Sequence, residues 1–126
     1  MSRYVEARAW NGDGGRLHAG FQQLSRLDDE RGTRRVYERL GDDPTVETHV
    51  YGVPDSRPSL SGVEVHGDRA EELRRSWFVV YDPPNRPDDA AALVVYRTDA
   101  GTWEGFWSYD PGTVREVHDY LTETYH

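Results

Sequence analysis

Two runs of apolar residues in the second half of the chain predict its central strands. Residues 77–81 read WFVVY and residues 90–96 read AAALVVY; a stretch rich in proline and aspartate separates the two runs, and Asp-Ala-Gly at 99–101 follows the second. Uninterrupted apolar runs of this length, rich in β-branched and aromatic residues, are typical of strands buried on both faces. We therefore expect four residues to be almost fully buried: Val79, Val80, Leu93 and Val94.

The segment that follows predicts a third strand and then a helix. Residues 103–109 alternate, which places Trp107 on one face of a strand and Phe106 on the other. The connection from the preceding run is short, so these two strands should be antiparallel neighbours. Asp110 followed by Pro111 is typical of a helix start with Asp110 as the N-cap. Beyond it, three apolar residues recur at helical spacing: Val114, Val117 and Leu121.

The first half of the chain gives weaker signals. Residues 3–10 fit either an edge strand or a short helix, and NGDGG at 11–15 is typical of a tight turn. Strands on both sides of this turn, at about 3–10 and 16–24, would form a hairpin. The pattern then predicts a helix at 33–40, a strand with one solvent-facing side at 45–51, a short strand or arm at 62–66 and a charged helix at 68–75.

The alternation of strands and helices predicts an α/β fold, with α+β as the alternative. The expected architecture is a mixed sheet of about five to six strands with about three helices. A length of 126 residues fits a single domain over residues 1–126. Within it we expect residues 1–16 to be an N-terminal arm or hairpin strand, residues 17–121 the core, and residues 122–126 a tail.

Composition narrows the function classes. All 15 basic residues are arginines, and they face 23 acidic residues, for a net charge of −8. A phosphate backbone is repelled by that balance, so no nucleic-acid partner is expected. The chain has no cysteine, no apolar run of the roughly 18 residues that a membrane span needs, and no signal-peptide layout at its start. We expect a cytoplasmic protein without membrane insertion.

The sequence contains no motif that identifies a catalytic or a metal-binding site. There is no cysteine and no GxSxG motif, so no catalytic residue is predicted. His18, His49, His66 and His118 are scattered without metal-ligand spacing. His49 and His66 lie on predicted strands close to glutamates, where a paired site is conceivable. Solvated or core histidines are the favoured interpretation, and neither a metal nor a cofactor is predicted.

The aromatic residues of the closing strand offer a sharper hypothesis. Trp103, Phe106, Trp107 and Tyr109 fall within seven residues, more than one strand needs to fill a core. Core packing is the plain interpretation. The alternative is that one aromatic face lines a ligand pocket or a partner surface. Gln22 is relevant because a buried amide must find hydrogen-bond partners, either backbone groups or the polar edge of a ligand.

Several short motifs together resemble a known family. They are Phe21-Gln22, the helix TRRVYERL, the strand beginning at Trp77, an Ala-Ala-Leu-Val strand at 91–94, and the Ser-Tyr-Asp-Pro corner at 108–111. In this order they are similar to the DICT sensory domain, found with diguanylate cyclases and two-component systems of bacteria and archaea. The resemblance runs from about residue 17 to residue 121.

The resemblance implies a small α/β sensory module with no catalytic residues of its own. The family positions matched here, together with Phe106 and Trp107 of the closing strand, give the predicted ligand-binding set: Phe21, Gln22, Trp77, Phe106, Trp107, Tyr109 and Asp110. No output domain is recognisable in this sequence, so either the signal would pass to a signalling protein or output domain in another chain, or the sequence is a fragment of a longer protein.

The leading hypothesis is therefore a non-enzymatic module of prokaryotic signal transduction that binds a small ligand or a partner protein. The alternative is an acidic interaction protein without a ligand, of the inhibitor or immunity type, suggested by the net charge of −8. A third possibility is a small enzyme whose site has no linear signature.

Overall fold

A mixed sheet of six strands forms the centre of the computed structural model, which describes residues 2–11, 14–29, 31–56, 58 and 60–125. The strands are β1 Gly15–Gln23, β2 Val46–Val53, β3 Val63–Gly67, β4 Ser76–Asp82, β5 Ala91–Arg97 and β6 Trp103–Ser108. The helices are α1 Ser2–Asn11, α2 Arg26–Asp29, α3 Arg31–Gly41, α4 Glu71–Arg75 and α5 Pro111–Thr124, with a 3-10 turn at Pro87–Asp89.

The strand order is β3-β2-β1-β4-β5-β6. The strands β1, β2 and β3 are parallel to one another, whereas β4, β5 and β6 form an antiparallel meander that joins β1 through β4. The long connection between β1 and β2 carries α2 and α3, as a crossover between parallel strands requires. The predicted α/β fold with a mixed sheet is confirmed.

Helices cover both faces of the sheet. On the side called here the α3 face, α1 and α3 pack against residues such as Leu17, Ala19 and Val79. On the other side, called the α5 face, α4 and α5 pack against Phe78, Val80 and others. Because side chains alternate along a strand, each central strand contributes to both layers.

The two apolar runs form β4 and β5 as predicted. Val79, Val80 and Leu93 are buried, in agreement with the prediction for these residues. Val94 is only partly buried, so the prediction of near-complete burial is wrong for this residue. The reason is that Val94 lies on the α5 face beyond the part of β5 that α5 covers, where it lines an open groove.

The predicted N-terminal hairpin is wrong. Residues 2–11 form the helix α1, in which Val5 and Ala9 share one side at helical spacing and are buried against the α3 face. An additional strand has no place beside β1, since its two edges are already paired with β2 and β4. Residues 12 and 13 of the predicted turn lie outside the described residues.

The prediction that β2 has one solvent-facing side is also wrong. Val46, Thr48 and Val50 are buried on one face, and His49 and Tyr51 are buried on the other. The strand lies between β1 and β3, and α3 and α5 cover opposite faces of the sheet, so the alternation of polar and apolar residues does not mark a wet face. The polar side chains of β2 are instead drawn into a buried network.

The predicted cap of α5 is confirmed. The side chain of Asp110 accepts a hydrogen bond from the backbone N–H of Thr113 at 2.9 Å and another from the Thr113 hydroxyl at 2.8 Å. These bonds to the carboxylate lower the pKa of Asp110. The helix continues through Thr124, and Tyr125 beyond it is buried.

Candidate functional site

The residues predicted as ligand contacts are distributed over both faces of the sheet. Phe21 is buried in the α3 layer, where its ring packs edge-on against Tyr37 with centroids 5.4 Å apart. Trp77 and Trp107 belong to the same face by strand register, whereas Phe106 lies on the α5 face. Asp110 is engaged as the helix cap. The seven residues thus do not line one common pocket within the described chain.

Gln22 lies in an irregular part of β1. Its φ is 65°, a left-handed conformation that non-glycine residues seldom adopt, and it falls where the register between β1 and β2 shifts. The residue lines a cleft of about 470 Å³ together with Arg26, Arg74 and Trp103. The cleft is polar, and the tryptophan it contains is Trp103 rather than Trp107.

The aromatic residues of β6 and the following corner form an exposed surface. Trp103 is 55% exposed and Trp107 is 40% exposed, and the Trp107 ring meets Tyr109 edge-on with centroids 5.6 Å apart. The guanidinium of Arg8 lies 5.0 Å from the centre of the Tyr109 ring, a cation–π contact that ties this corner to α1. Several large, exposed apolar side chains on an edge strand are typical of a surface that binds a ligand or a partner protein.

A groove of about 480 Å³ lies on the α5 face, between α5 and the outer strands β5 and β6. Its apolar lining includes Phe78 and Val94 from the sheet and Val117 and Leu121 from α5, and Phe106 stands beside them at 42% exposure. A concave, mainly apolar space of a few hundred Å³ with a few polar groups at its margins is the usual form of a small-molecule site.

Two tyrosines and a glutamate hold α5 against α4 beside this groove. The hydroxyl of Tyr120 donates to Glu72 at 2.7 Å, and the hydroxyl of Tyr125 donates to the same carboxylate at 2.8 Å. The bond to Glu72 is the main cause that raises the pKa of Tyr120, while burial is the main cause that raises the pKa of Tyr125. The wall of the groove that α5 provides is therefore fixed at its C-terminal end.

A buried carboxylate fixes the other end of α5. Asp82, at the end of β4, is 3% exposed and accepts hydrogen bonds from Arg16 of β1 at 2.6 Å and from Arg115 of α5 at 2.8 Å. Both arginines bond the same oxygen, Oδ2. One acidic residue thus joins two neighbouring strands to the helix above them.

A cluster of histidines occupies the α5 face towards the β3 edge of the sheet. The register of the strands explains how the histidines come together. His18 of β1 lies opposite His49 of β2, and His49 lies opposite Glu64 of β3. His66 follows Glu64 by two residues and therefore shares its face, opposite Tyr51. From above, α5 adds His118, which is buried because it lies between Val114 and Leu121 on the inward face of the helix.

Hydrogen bonds and stacked rings link this cluster. The Nδ1 atom of His18 lies 2.7 Å from the hydroxyl of Tyr51, and its Nε2 atom lies 2.7 Å from Nδ1 of His118. The rings of His18 and His49 are stacked at 4.8 Å, and those of Tyr51 and His66 at 4.6 Å. The cluster is thus a packed polar layer that continues from β1 to the sheet edge.

Burial determines the charge state of its centre. His18 is fully buried, and this desolvation, followed by the neighbouring His49 and His118, lowers its pKa to about 2. Desolvation is also the first cause of the lowered pKa of His118, and Arg16 is the second. The Tyr51 hydroxyl has a raised pKa, mainly because it is buried. His18 is therefore neutral at physiological pH, with one ring nitrogen as donor and the other as acceptor.

The sequence allowed a paired site at His49 and His66 but did not indicate that His18 and His118 join them. The missing information was strand pairing, since a hairpin at the N-terminus would have placed another strand beside β1. Once β1 is paired in parallel with β2, His18 and His49 become direct neighbours, and β3 then adds Glu64 and His66. The signal in the sequence was the glutamate-x-histidine pattern at Glu64 and His66, which puts two ligand-type side chains on one strand face.

The mixed sheet and the helices on both of its faces define a small α/β domain with a groove beside α5. The chain belongs to the DICT family, described as the sensory domain in diguanylate cyclases and two-component systems, whose profile matches residues 1–98. It is therefore a sensory domain of signalling proteins, as the resemblance implied. The matched range includes α1 and ends after β5, so Phe106, Trp107, Tyr109 and Asp110 lie outside it. No curated protein and no solved structure matches the chain.

Among the described residues, no helix has both the length and the apolar character needed to cross a membrane.

Proposed function

We propose that this domain is a signalling input module that binds a small, flat, apolar molecule in the groove between α5 and the outer strands. The observation that carries the proposal is the groove itself, which offers about 480 Å³ of space lined by Phe78, Val94 and Val117. Exposed apolar surface is costly in water, and a ligand that covers it gains about 25 cal/mol for each Å² buried. Phe106, a predicted contact residue, would stack against such a molecule.

The polar groups at the margin of the groove are placed where they can orient the ligand. Glu72, Arg75 and Glu116 line it beside the apolar residues, and a small number of charged groups around an apolar floor is typical of specific sites. Arg75 is already paired with Glu71 at 3.0 Å and with Asp99. Specificity would therefore come mainly from the shape of the apolar floor.

The position of α5 suggests how occupancy becomes a signal. The helix forms one wall of the groove through Val117 and Leu121, while β5 and β6 form the other. A ligand that touches both walls stabilises the arrangement in which α5 is docked, and shifts the population towards it. A partner signalling protein would then recognise α5 in that arrangement.

Removal of the Phe106 ring should weaken binding of a groove ligand. The neutral fluorophore N-phenyl-1-naphthylamine, which is flat and apolar, should bind the protein with enhanced fluorescence. Phe106→Ala should raise its Kd about tenfold, because the loss of an aromatic contact of roughly 1.4 kcal/mol corresponds to that factor. Phe106 is 42% exposed, so its removal should leave the fold intact.

The chain provides a matched control for this experiment. Trp107 is adjacent in sequence and similarly exposed at 40%, but it lies on the opposite face of the same strand. Trp107→Ala should leave the Kd of the probe unchanged. Equal weakening by both variants, or binding that neither changes, would place the probe elsewhere and remove the support for a groove ligand.

A second candidate function is supported by the exposed aromatic surface of β6. Trp103 and Trp107 of the edge strand β6, and Tyr109 directly after it, are each at least 40% exposed, and the net charge of −8 favours a basic partner protein. Binding of such a partner should weaken steeply as the salt concentration rises. Trp107→Ala should reduce it, whereas Phe106→Ala should not.

A further inference from the structure

We infer that His49, Glu64 and His66 form a binding site for one divalent transition-metal ion such as Zn²⁺ or Ni²⁺. The three side chains come from two adjacent parallel strands at the edge of the sheet, and their ligand atoms all lie within 4.8 Å of one another. Two imidazoles and a carboxylate are a donor set that these metals accept. This site is at the β3 edge, whereas the proposed ligand groove lies between α5 and the strands β5 and β6.

The distances between the three ligand atoms suit one ion. His49 Nδ1 lies 2.9 Å from His66 Nε2 and 3.2 Å from Glu64 Oε2, and the two atoms of His66 and Glu64 are 3.8 Å apart. A tetrahedral ion with bonds of about 2.0–2.1 Å separates its ligand atoms by about 3.3–3.4 Å. The observed distances lie on both sides of that value. Shifts of roughly half an ångström would therefore complete the coordination.

A second observation concerns the other nitrogen of His49. The Nε2 atom is buried and makes no hydrogen bond with any described residue, although Glu47 Oε2 lies 3.3 Å away. When Nδ1 binds a metal, the proton of the neutral ring must reside on Nε2, and a carboxylate beside that atom is the usual partner of a metal-bound histidine. In the metal-bound state, Nε2 of His49 would therefore be a hydrogen-bond donor, with the carboxylate of Glu47 as its acceptor.

The surrounding rings hold both histidines in place. His49 is stacked on His18 with an interplanar angle of 11°, and His66 is stacked on Tyr51 with an angle of 14°. Ligands that are already ordered lose little conformational freedom when the ion binds. The two rings are therefore positioned before the metal arrives.

The third ligand is exposed, and this determines the kind of site. The Glu64 side chain is 65% exposed, whereas those of His49 and His66 are 8% and 14% exposed. Three protein ligands with one side open to solvent leave a coordination position for water or an exchangeable ligand. Such a site binds its ion reversibly, as a sensory domain requires, rather than as a closed structural centre.

Isothermal titration calorimetry of tag-free, chelator-treated protein with Zn²⁺ tests whether this site binds a metal ion. We expect one ion per chain with a Kd in the micromolar range or below. Glu64→Gln and His66→Gln should each raise that Kd at least tenfold, since even the loss of a group that only positions a ligand weakens metal affinity by about this factor. His118→Gln is the matched control, since His118 is also a buried histidine of this face but contacts His18 rather than the proposed ligands. It should leave the Kd within about threefold.

Because Glu64 is exposed, its replacement should not disturb folding, and circular dichroism should confirm this for each variant. X-ray absorption of the Zn²⁺ complex should report two imidazole ligands. Absence of binding at 100 µM Zn²⁺ would overturn the inference. Equal affinity in the wild type and in Glu64→Gln and His66→Gln would also overturn it, since the ion would then be bound elsewhere.

Discussion

Replacement of Asp82 by alanine should lower the free energy of unfolding by about 2–4 kcal/mol. The carboxylate is 3% exposed and receives hydrogen bonds from Arg16 and Arg115, so its loss removes two charge-assisted bonds at once. Arg16 and Arg115 are partly exposed and can recover some hydration, which keeps the loss at the lower end for a buried ion pair. Urea unfolding monitored by circular dichroism would measure the change.

An exposed ion pair serves as the control for this prediction. Arg34 and Glu38 lie one helical turn apart on α3 at 2.8 Å, with side chains 36% and 51% exposed. Glu38→Ala should cost no more than about 0.5 kcal/mol, as expected for surface pairs. If Asp82→Ala were equally mild, the carboxylate would not be what joins α5 to the sheet.

Acidification should destabilise the metal-free protein well before most carboxylates are protonated. The folded-state pKa of His18 is lowered to about 2, whereas in the unfolded chain it is near 6.5. The unfolded state therefore binds more protons, and stability is fully present above pH 6.5 and is lost as the pH falls from there towards the folded pKa. Between pH 7 and pH 4.5 this histidine alone should remove about 2–3 kcal/mol.

The groups around His18 all act in the same direction. His49, His118, Arg16 and His66 each disfavour a positive charge on its ring, and they come from β2, α5, β1 and β3. The lowered pKa of His118 adds to the loss over the same pH range, since it too is protonated more readily in the unfolded chain. The Tyr51 hydroxyl, 2.7 Å from His18, carries no charge in this range, since a tyrosine is neutral below about pH 9 and burial raises the pKa of Tyr51 further.

Urea unfolding at a series of pH values, with EDTA present, would measure this dependence. His18→Gln is the matched variant, because glutamine fills a similar volume, can hydrogen-bond and does not titrate. Its stability should fall less steeply between pH 7 and pH 4.5 than that of the wild type. Parallel curves for the two proteins would show that the buried histidine does not determine the acid response.

The parts of the fold that local patterns specify were predicted well. The apolar runs of β4 and β5 and the Asp110–Pro111 start of α5 depend on residues close together in the chain. In the N-terminal half, the weak alternation of residues 3–10 fitted two structures. The choice between them depends on β4 occupying the edge of β1, which is a contact between distant segments.

The contacts within the histidine cluster could not be predicted for the same reason, because they join distant segments of the chain. His18 and His118 are separated by 100 positions yet lie 2.7 Å apart, and no spacing within a single segment indicates such a contact. The exposed aromatic residues, in contrast, were recognisable because four of them fall on one short segment. The alternation of residues 103–109 placed Phe106 and Trp107 on opposite faces, and the strand register confirms it. The sequence could not show which of the two faces lies beside the α5 groove.

Hydrogen–deuterium exchange of α5 tests most directly the claim that the α5 groove is the input site of this sensory domain. Exchange should be followed by mass spectrometry with and without a saturating apolar probe such as N-phenyl-1-naphthylamine. We expect slower exchange in peptides of Pro111–Thr124, because the ligand stabilises the docked helix. Peptides of α3, Arg31–Gly41 on the opposite face, should be unchanged. Protection of α3 with no change in α5 would show that the α5 groove is not the input site.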